Sequence, residues 1–457
     1  MMEENDNQSV SLQEMLMAKE ARVMQQTKIL HQYHTSIICF TLNIMGPMKS
    51  CRLYEQCYQV GKQLITKRLQ YAGLTFGQRW ETAGKTGSEC IWSVCAPAEQ
   101  IKQLMIEIEI NEEIGRVFDI DVLNADGTKV SRTQLGYQPR KCFICDALAA
   151  ACARSRNHGL EQLVEKTRNI IETYLTGRYA DEVAGKALQA LLYEVSATPK
   201  AGLVDRWNNG SHHDMNYITF LDSSSILVPY FRKAVLAGTK AAGTMNNLFE
   251  QLRLLGKQAE IDMYRITNGI NTHKGAIFSL GILCGAAGFL WKEQGGHTLL
   301  ELCRVASDIA TDSLKDFEQE PHPLSNGEII FKKYGISGAR AEAVSGFRSA
   351  RELALPILQN CLAESCSVND SSVFALLVLI SQVYDTNIIK RAGLQTQTGI
   401  HCQITQFLEQ QPDINAVLDY MTELDREFQR QHISAGGCAD LLAVTWFLQL
   451  LVGSAIM

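Results

Sequence analysis

The spacing of hydrophobic positions changes about a third of the way along the chain. Before residue 160, stripes at helical spacing alternate with short β-branched and aromatic runs. SLQEMLMAKEARVMQQTKILHQYH (11–34) predicts a helix opened by a capping box, Ser11 with Glu14. SIICFTLNI (36–44) predicts a strand, RLYEQCYQVGKQLITKRLQYAG (52–73) a helix with a glycine stop, and SECIWSVCA (88–96) a strand. PAEQIKQLMIEIEINEEI (97–114) predicts a helix with proline near its start. RVFDIDVLN (116–124) predicts a strand running into an ADGT turn. Beyond residue 160 the strand signal fades and 3.6-residue periodicity continues to the end. The pattern therefore predicts an α/β or α+β domain over 1–175 and a larger all-α domain over 176–457. The boundary is expected at a TGRYAD turn, residues 176–181.

Composition narrows the class. The chain has 457 residues, more than one hydrophobic core usually spans, and its 46% hydrophobic and 20% charged content is that of a globular protein. A net charge of −6 gives no electrostatic reason to expect nucleic acid. The start, MMEENDNQSV, lacks the basic region and apolar run of a signal peptide, so the 14 cysteines read as reduced thiols in a cytoplasmic protein. Two apolar runs, 275–291 and 441–457, read as buried core helices, and no membrane span is expected.

In the first domain, Asp119 and Asp121 lie two apart on a predicted strand, so both carboxylates project from one face, about 6.5–7 Å apart at Cα. Two such oxygen donors can hold Mg²⁺ against a polyphosphate, and a solvated strand end is the alternative. Cys142, Cys145, Cys152 and His158 form a set that could hold structural Zn²⁺, with core packing of reduced cysteines as the alternative. Arg140, Lys141, Arg154 and Arg156 bracket this set and would suit phosphate, with a solvated basic face as the alternative.

FTLNIMGP (40–47), GRVFDIDV (115–122) and RKCFICDALAAACARSRNH (140–158) resemble, in that order, the citrate lyase holo-acyl-carrier-protein synthase family. The resemblance implies a phosphoribosyl-dephospho-CoA transferase, a nucleotidyltransferase-like activity and fold. It would load a serine of the citrate lyase acyl carrier protein, the γ subunit, and release pyrophosphate. Asp119 and Asp121 would act with Mg²⁺, and Arg116, Arg140, Arg154 and Arg156 would hold the leaving pyrophosphate.

In the second domain four polar clusters interrupt the helices. TPKAGLVDRWNNGSHHDM (198–215) carries Lys200, Arg206, His213 and Asp214, and TNGINTHKGAIFSLG (267–281) carries Asn271, His273 and Lys274 at the mouth of an apolar helix. YGISGARAEAVSGF (334–347) adds Arg340, and the fourth cluster, made of YDTNIIKRAG (384–393) together with HISAGGCADLLA (432–443), adds Asp385, Asn387, Arg391 and Asp440. His212 and His213 are adjacent and would diverge by about 100° on a helix, which disfavours joint metal ligation. Singly, each cluster is explained by caps and turns; jointly they indicate one Mg²⁺–polyphosphate pocket.

These clusters resemble the triphosphoribosyl-dephospho-CoA synthase family over 180–457. The resemblance implies transfer of the triphosphoribosyl group of ATP to the 2′-hydroxyl of 3′-dephospho-CoA, with adenine leaving. Lys200, Arg206, Asn271, Lys274, Arg340, Asn387 and Arg391 would contact the nucleotide and its phosphates. Asp214, Asp385 and Asp440 would bind Mg²⁺ or act as base, and His213 and His273 are acid–base candidates. Together the resemblances imply a bifunctional enzyme that builds and installs the citrate lyase prosthetic group. Two alternatives are the equivalent pair for the malonate decarboxylase carrier and a non-enzymatic, zinc-stabilised carrier-binding module.

Overall fold

The structure is a computed structural model and describes residues 9–241, 245–317, 326–336 and 338–452. The sequence readings that fall on 1–8, 242–244, 318–325, 337 and 453–457 lie outside the described residues. The chain divides into two compact units, one up to Gly177 and one from Arg178 onward.

The first unit contains α1 (Leu12–Tyr33), β1 (Ser36–Leu42), α2 (Arg52–Tyr71), β2 (Phe76–Thr82), β3 (Glu89–Val94), α3 (Ala98–Asn111), β4 (Phe118–Leu123) and α4 (Ala149–Ser155). Ser11 and Glu14 cap α1 reciprocally, as their spacing predicts. The strands form one sheet in the order β2-β3-β1-β4, antiparallel throughout, so the arrangement is α+β. One face of the sheet presents Phe40, Trp92 and Phe118, and Phe40 stacks on Tyr58 of α2 and meets Phe118 edge-on. On the other face Ile29 of α1 packs with Ile37, Cys39 and Ile91. Cys39 and Thr41 pair with Asp121 and Asp119, which puts both aspartates on the face that α1 covers.

β2 carries no pattern that predicts a strand. Its residues, FGQRWET, are mostly exposed and polar at the edge of the sheet, so no apolar alternation marks it. The expected turn at 176–181 is absent too. α5 (Leu160–Ser196) runs through it unbroken, because Ile171, Leu175, Tyr179 and Val183 keep one buried stripe in step and a lone glycine costs only about 1 kcal/mol.

The second unit is helical. After α5 come α6 (Tyr217–Ile226), α7 (Val228–Lys240), α8 (Met245–Ile266), α9 (Lys274–Gln294), α10 (Leu299–Ala310), α11 (Asn326–Tyr334) and α12 (Gly338–Val344). Then follow α13 (Leu355–Ala363), α14 (Val368–Gln382), α15 (Thr386–Ala392), α16 (Leu394–Leu408), α17 (Ile414–Arg430) and α18 (Gly436–Val452). α9 is the central element, wrapped by α7, α8, α10 and α18. It is long and apolar enough to cross a membrane, but most of it is buried inside the unit, and so is most of the shorter α18.

Candidate active sites

The loop before α6 owes its shape to two buried carboxylates. Asp205 accepts the N–H groups of Lys200, Trp207 and Asn208 at 3.2, 2.7 and 2.9 Å. Asp425 of α17 accepts the Gly202 N–H at 2.9 Å, the Asn208 amide at 3.1 Å and the Gln429 amide at 2.7 Å. Gly202 has φ +66°, and a Cβ there would lie 2.1 Å from the Ile433 carbonyl, so this close approach requires glycine. Much of the loop's polarity thus satisfies its own backbone. Lys200 is different. It is 1% exposed, and its Nζ lies 2.6 Å from Glu194 Oε1 at the end of α5. Burial pushes the Glu194 carboxyl up, against the pull of Lys200.

Beside this pair lies a cavity of about 1240 Å³. Residues from all four sequence clusters line it: Lys200, the run Asn271–Gly275, Arg340, Asp385 with Asn387 and Arg391, and Asp440. Arg206, His213 and Asp214 are not among the lining residues, and all three are exposed. Arg206 donates instead to Asn369 at 2.9 Å, while His212 does line the cavity and meets Ser434 Oγ at 2.9 Å.

The geometry separates the remaining groups. Asp385 is buried and caps α15, its Oδ1 accepting the Asn387 N–H at 2.7 Å and its Oδ2 the Cys438 N–H at 2.9 Å. It therefore latches the Gly436–Gly437 turn of α18 to α15. Asp440, one turn on, lies across the first turn of α9, where the Ala276 N–H donates to it. A Cβ on Gly275 would fall 1.9 Å from Asp440 Oδ2, so glycine is what lets the carboxylate lie there. Desolvation, with Glu194 and Asp385 nearby, pushes the Asp440 carboxyl well up. Lys274 pairs with Glu260 at 2.9 Å, and the Asn271 side chain caps the Lys274 N–H at 3.2 Å. Arg391 donates to the His432 carbonyl at 3.0 Å.

His273 is 2% exposed, with Nδ1 2.7 Å from Ser223 Oγ, which accepts from Thr272 Oγ1 at 2.7 Å. Its Nε2 is buried without a partner among the described residues. Burial, then the nearby Lys200 charge, depress its pKa to about 3, so the ring is neutral at pH 7. An unfolded chain protonates this histidine near pH 6.5 while the folded one does not, so stability is lost as pH falls from 6.5 toward 3. A His273→Gln protein is expected to show a flatter decline of Tm over that range. Identical slopes in the two proteins would count against a buried neutral imidazole.

In the first unit Asp119 is exposed on β4, and Asp121 pairs with Lys129 at 2.6 Å. Arg140 donates to the Phe118 carbonyl at 2.9 Å and pairs with Glu109, and Arg116 donates to the Lys141 and Cys142 carbonyls. Arg154 and Arg156 are exposed at the end of α4. The ligand atoms of Cys142, Cys145, Cys152 and His158 all lie within 4.8 Å of one another. Cys145 Sγ is 4.0 Å from Cys152 Sγ and 3.2 Å from His158 Nε2. A zinc–sulfur bond of about 2.3 Å sets tetrahedral S···S edges of about 3.8 Å, whereas a disulfide needs about 2.05 Å. The Ile144 N–H points to Cys142 Sγ at 3.5 Å, the first of several contacts that hold this thiol below its ordinary range.

Three groups that the sequence motifs do not include shape these sites: Glu194, Asp425 and Arg132. The first two carry a legible signal, because Glu194 continues the buried Ala187–Leu191 stripe of α5 and Asp425 the Val417–Met421 stripe of α17. An acid on an apolar stripe needs a partner. Arg132, which reaches Glu109, sits in a loop with no such pattern.

Both halves match family models. Residues 10–174 match CitX, apo-citrate lyase phosphoribosyl-dephospho-CoA transferase, and residues 180–455 match CitG, ATP:dephospho-CoA triphosphoribosyl transferase. The chain is similar along its length to Protein CitXG of Haemophilus influenzae, 32% identical over 97% of this chain and 96% of that protein. It is also similar to Protein CitXG of Leuconostoc mesenteroides subsp. cremoris, 33% identical over 97% and 98%. A probable 2-(5''-triphosphoribosyl)-3'-dephosphocoenzyme-A synthase of Vibrio cholerae is 38% identical over 58% of this chain and 87% of its own length. Two transferase domains on one chain define a bifunctional enzyme. The chain belongs to the CitXG family, joining a triphosphoribosyl-dephospho-CoA synthase to an apo-citrate lyase transferase. The transferase half implies an acyl carrier protein as substrate.

Proposed function

We propose that the second unit forms 2′-(5″-triphosphoribosyl)-3′-dephospho-CoA in the 1240 Å³ cavity, and that the first transfers it to the γ subunit of citrate lyase, in the cytoplasm. The observation that carries this reading is the convergence of Lys200, Lys274, Arg340 and Arg391 with Asp440 around one space. Breaking the bond between adenine and ribose C1 develops positive charge on the sugar, and the incoming 2′-hydroxyl must lose a proton. Asp440, made more basic by desolvation and its acidic neighbours, takes that proton. The Nε2 edge of neutral His273 meets the leaving base or the ribose, held by the Thr272–Ser223 hydroxyls. Lys274, Arg340 and Arg391 face the triphosphate, while Lys200 acts through Glu194. Asp385 holds the loop that carries Asp440. Mg²⁺ would neutralise triphosphate charge in both units, and in the first Asp119 and Asp121 would hold it.

In the transferase, a nucleotidyl-type transfer, Asp119 and Asp121 lie on a strand that Arg140 touches at Phe118. Structural Zn²⁺ at Cys142, Cys145, Cys152 and His158 belongs to the same reading and is supported by the ligand spacing. The test separates the two activities. Asp119→Asn with Asp121→Asn is expected to lower labelling of the carrier serine by at least about 100-fold, the scale of losing one electrostatic stabiliser. Adenine release from ATP and dephospho-CoA stays at the wild-type rate. Loss of both activities, or of neither, contradicts the assignment.

A further inference from the structure

A second cavity, of about 210 Å³, lies in the first unit beside the cysteine cluster. Arg116, Arg132, Arg140 and Lys141 line it, with Glu109 as the acidic residue in the lining. Glu109 is 7% exposed and meets Arg140 at 2.5 Å and Arg132 at 3.8 Å, while the Arg132 Nε is buried without a partner among the described residues. Lys141 also pairs at the surface with Asp146 at 3.4 Å. Four cations against one buried carboxylate, with an unpaired guanidinium N–H among them, make a cavity charged for a compact polyanion.

The cysteine knuckle builds one wall of this cavity. Lys141 and Phe143 line it and flank Cys142 of the cysteine–histidine cluster. The Arg116 guanidinium donates to the carbonyls of Lys141 and Cys142 and stacks 5.5 Å from the Phe143 ring centroid. The Ala149 N–H donates to the Arg140 carbonyl at 2.9 Å, and the Cys142 N–H to the Ala147 carbonyl at 2.8 Å, closing the knuckle between them. Arg116 is thus placed by the backbone of a cysteine whose side chain faces the ligand cluster. Arg140 reaches from the same knuckle to the Phe118 carbonyl, one residue before Asp119.

We propose that this cavity is the diphosphate subsite of the transferase and that a metal-filled knuckle holds it in shape, with Arg132 as a further ligand-contacting residue. This rests on the transferase and zinc readings given above. In the transfer, the carrier serine oxygen bonds to the α-phosphorus of the donor and the bond from that phosphorus to the bridging oxygen breaks. The electron pair leaves on pyrophosphate, which the arginines receive, and the serine proton passes to water. The Zn²⁺ takes no part in this step and acts only through the backbone of residues 141–143.

The experiment uses the full chain, purified triphosphoribosyl-dephospho-CoA and apo carrier protein, with inorganic pyrophosphate as product inhibitor of carrier labelling. Arg132→Ala is expected to raise the pyrophosphate Ki and the donor KM by about ten- to a hundredfold, the scale of one or two charge-assisted hydrogen bonds. Arg132→Lys should recover part of that loss, and adenine release by the other unit should not change. Wild-type protein should carry about one zinc per chain by elemental analysis, and Cys145→Ser none, with the pyrophosphate Ki raised as in Arg132→Ala. A wild-type Ki in Arg132→Ala overturns the subsite. That variant keeps all four metal ligands, so its result holds whether or not the serine variant folds. Loss of zinc without a change in Ki overturns the link between knuckle and subsite. Wild-type protein without zinc overturns the metal reading alone, and no carrier labelling by wild-type protein overturns the transferase assignment.

Discussion

Asp440→Asn is expected to slow adenine release by about 10²–10⁴-fold, the contribution of a positioned general base, while carrier labelling from preformed donor stays at the wild-type rate. Asparagine keeps the size of the side chain and can still accept the Ala276 N–H, so α9 and α18 should remain docked. What it loses is basicity. The aspartate owes that basicity to desolvation at the cavity wall and to Glu194 and Asp385, both of which disfavour its charged form. Because its pKa is raised, the wild-type rate should climb with pH through a limb above the ordinary carboxylate range, and Asp440→Asn should lack that limb. Gly275→Ala offers a second view of the same group. A methyl 1.9 Å from Asp440 Oδ2 must displace the carboxylate without altering its chemistry, so turnover should fall while the pH limb persists, shifted. A near-wild-type rate in Asp440→Asn would remove the carboxylate from the chemical step.

Lys200→Met should destabilise the second unit by about 3–5 kcal/mol, because it strands the buried Glu194 carboxylate. Both side chains are within 5% of complete burial, so water cannot replace the lost partner. Glu194→Gln added to Lys200→Met should restore most of the stability, since two neutral groups replace an unmatched charge. The sign with pH follows from the carboxyl. Burial already raises Glu194, and removing the lysine removes the main opposing influence. The folded variant therefore holds a proton that the unfolded chain has given up above about pH 4.3, and the deficit grows as pH rises and shrinks as it falls toward that value. Chemical denaturation of the four proteins of this cycle at two pH values measures it. An Lys200→Met protein as stable as wild type would mean that the pair is not buried in solution.

Several parts of this architecture could be read from residue pattern because each rests on a short-range physical cause. The α1 cap, the strand of Asp119 and Asp121, and the apolar α9 follow from spacing within a few residues. β2 escaped because an edge strand needs no apolar face, and the boundary turn failed because one glycine does not stop a helix whose buried stripe continues. The polar clusters pointed to one pocket, and the lining residues come from each of them. Which members face inward was not legible. His212 and His213 are neighbours, yet one lines the cavity and the other looks outward, a choice made by the loop's anchoring to Asp205 and Asp425, more than two hundred residues apart. Lys200 reads as a phosphate contact from its motif and does line the cavity, but its pairing with Glu194 was not legible because that carboxylate is hidden in a helical pattern.

The synthase and transferase roles are tested most directly by what the full chain does with ATP and 3′-dephospho-CoA. Purified protein incubated with both substrates, Mg²⁺ and apo citrate lyase carrier protein should release free adenine and pyrophosphate, and the carrier should gain the mass of phosphoribosyl-dephospho-CoA on a serine. Omitting dephospho-CoA should abolish every one of these products. Absence of adenine release under those conditions, from protein shown to be folded, would contradict the synthase reading and with it the roles given to Asp440 and His273.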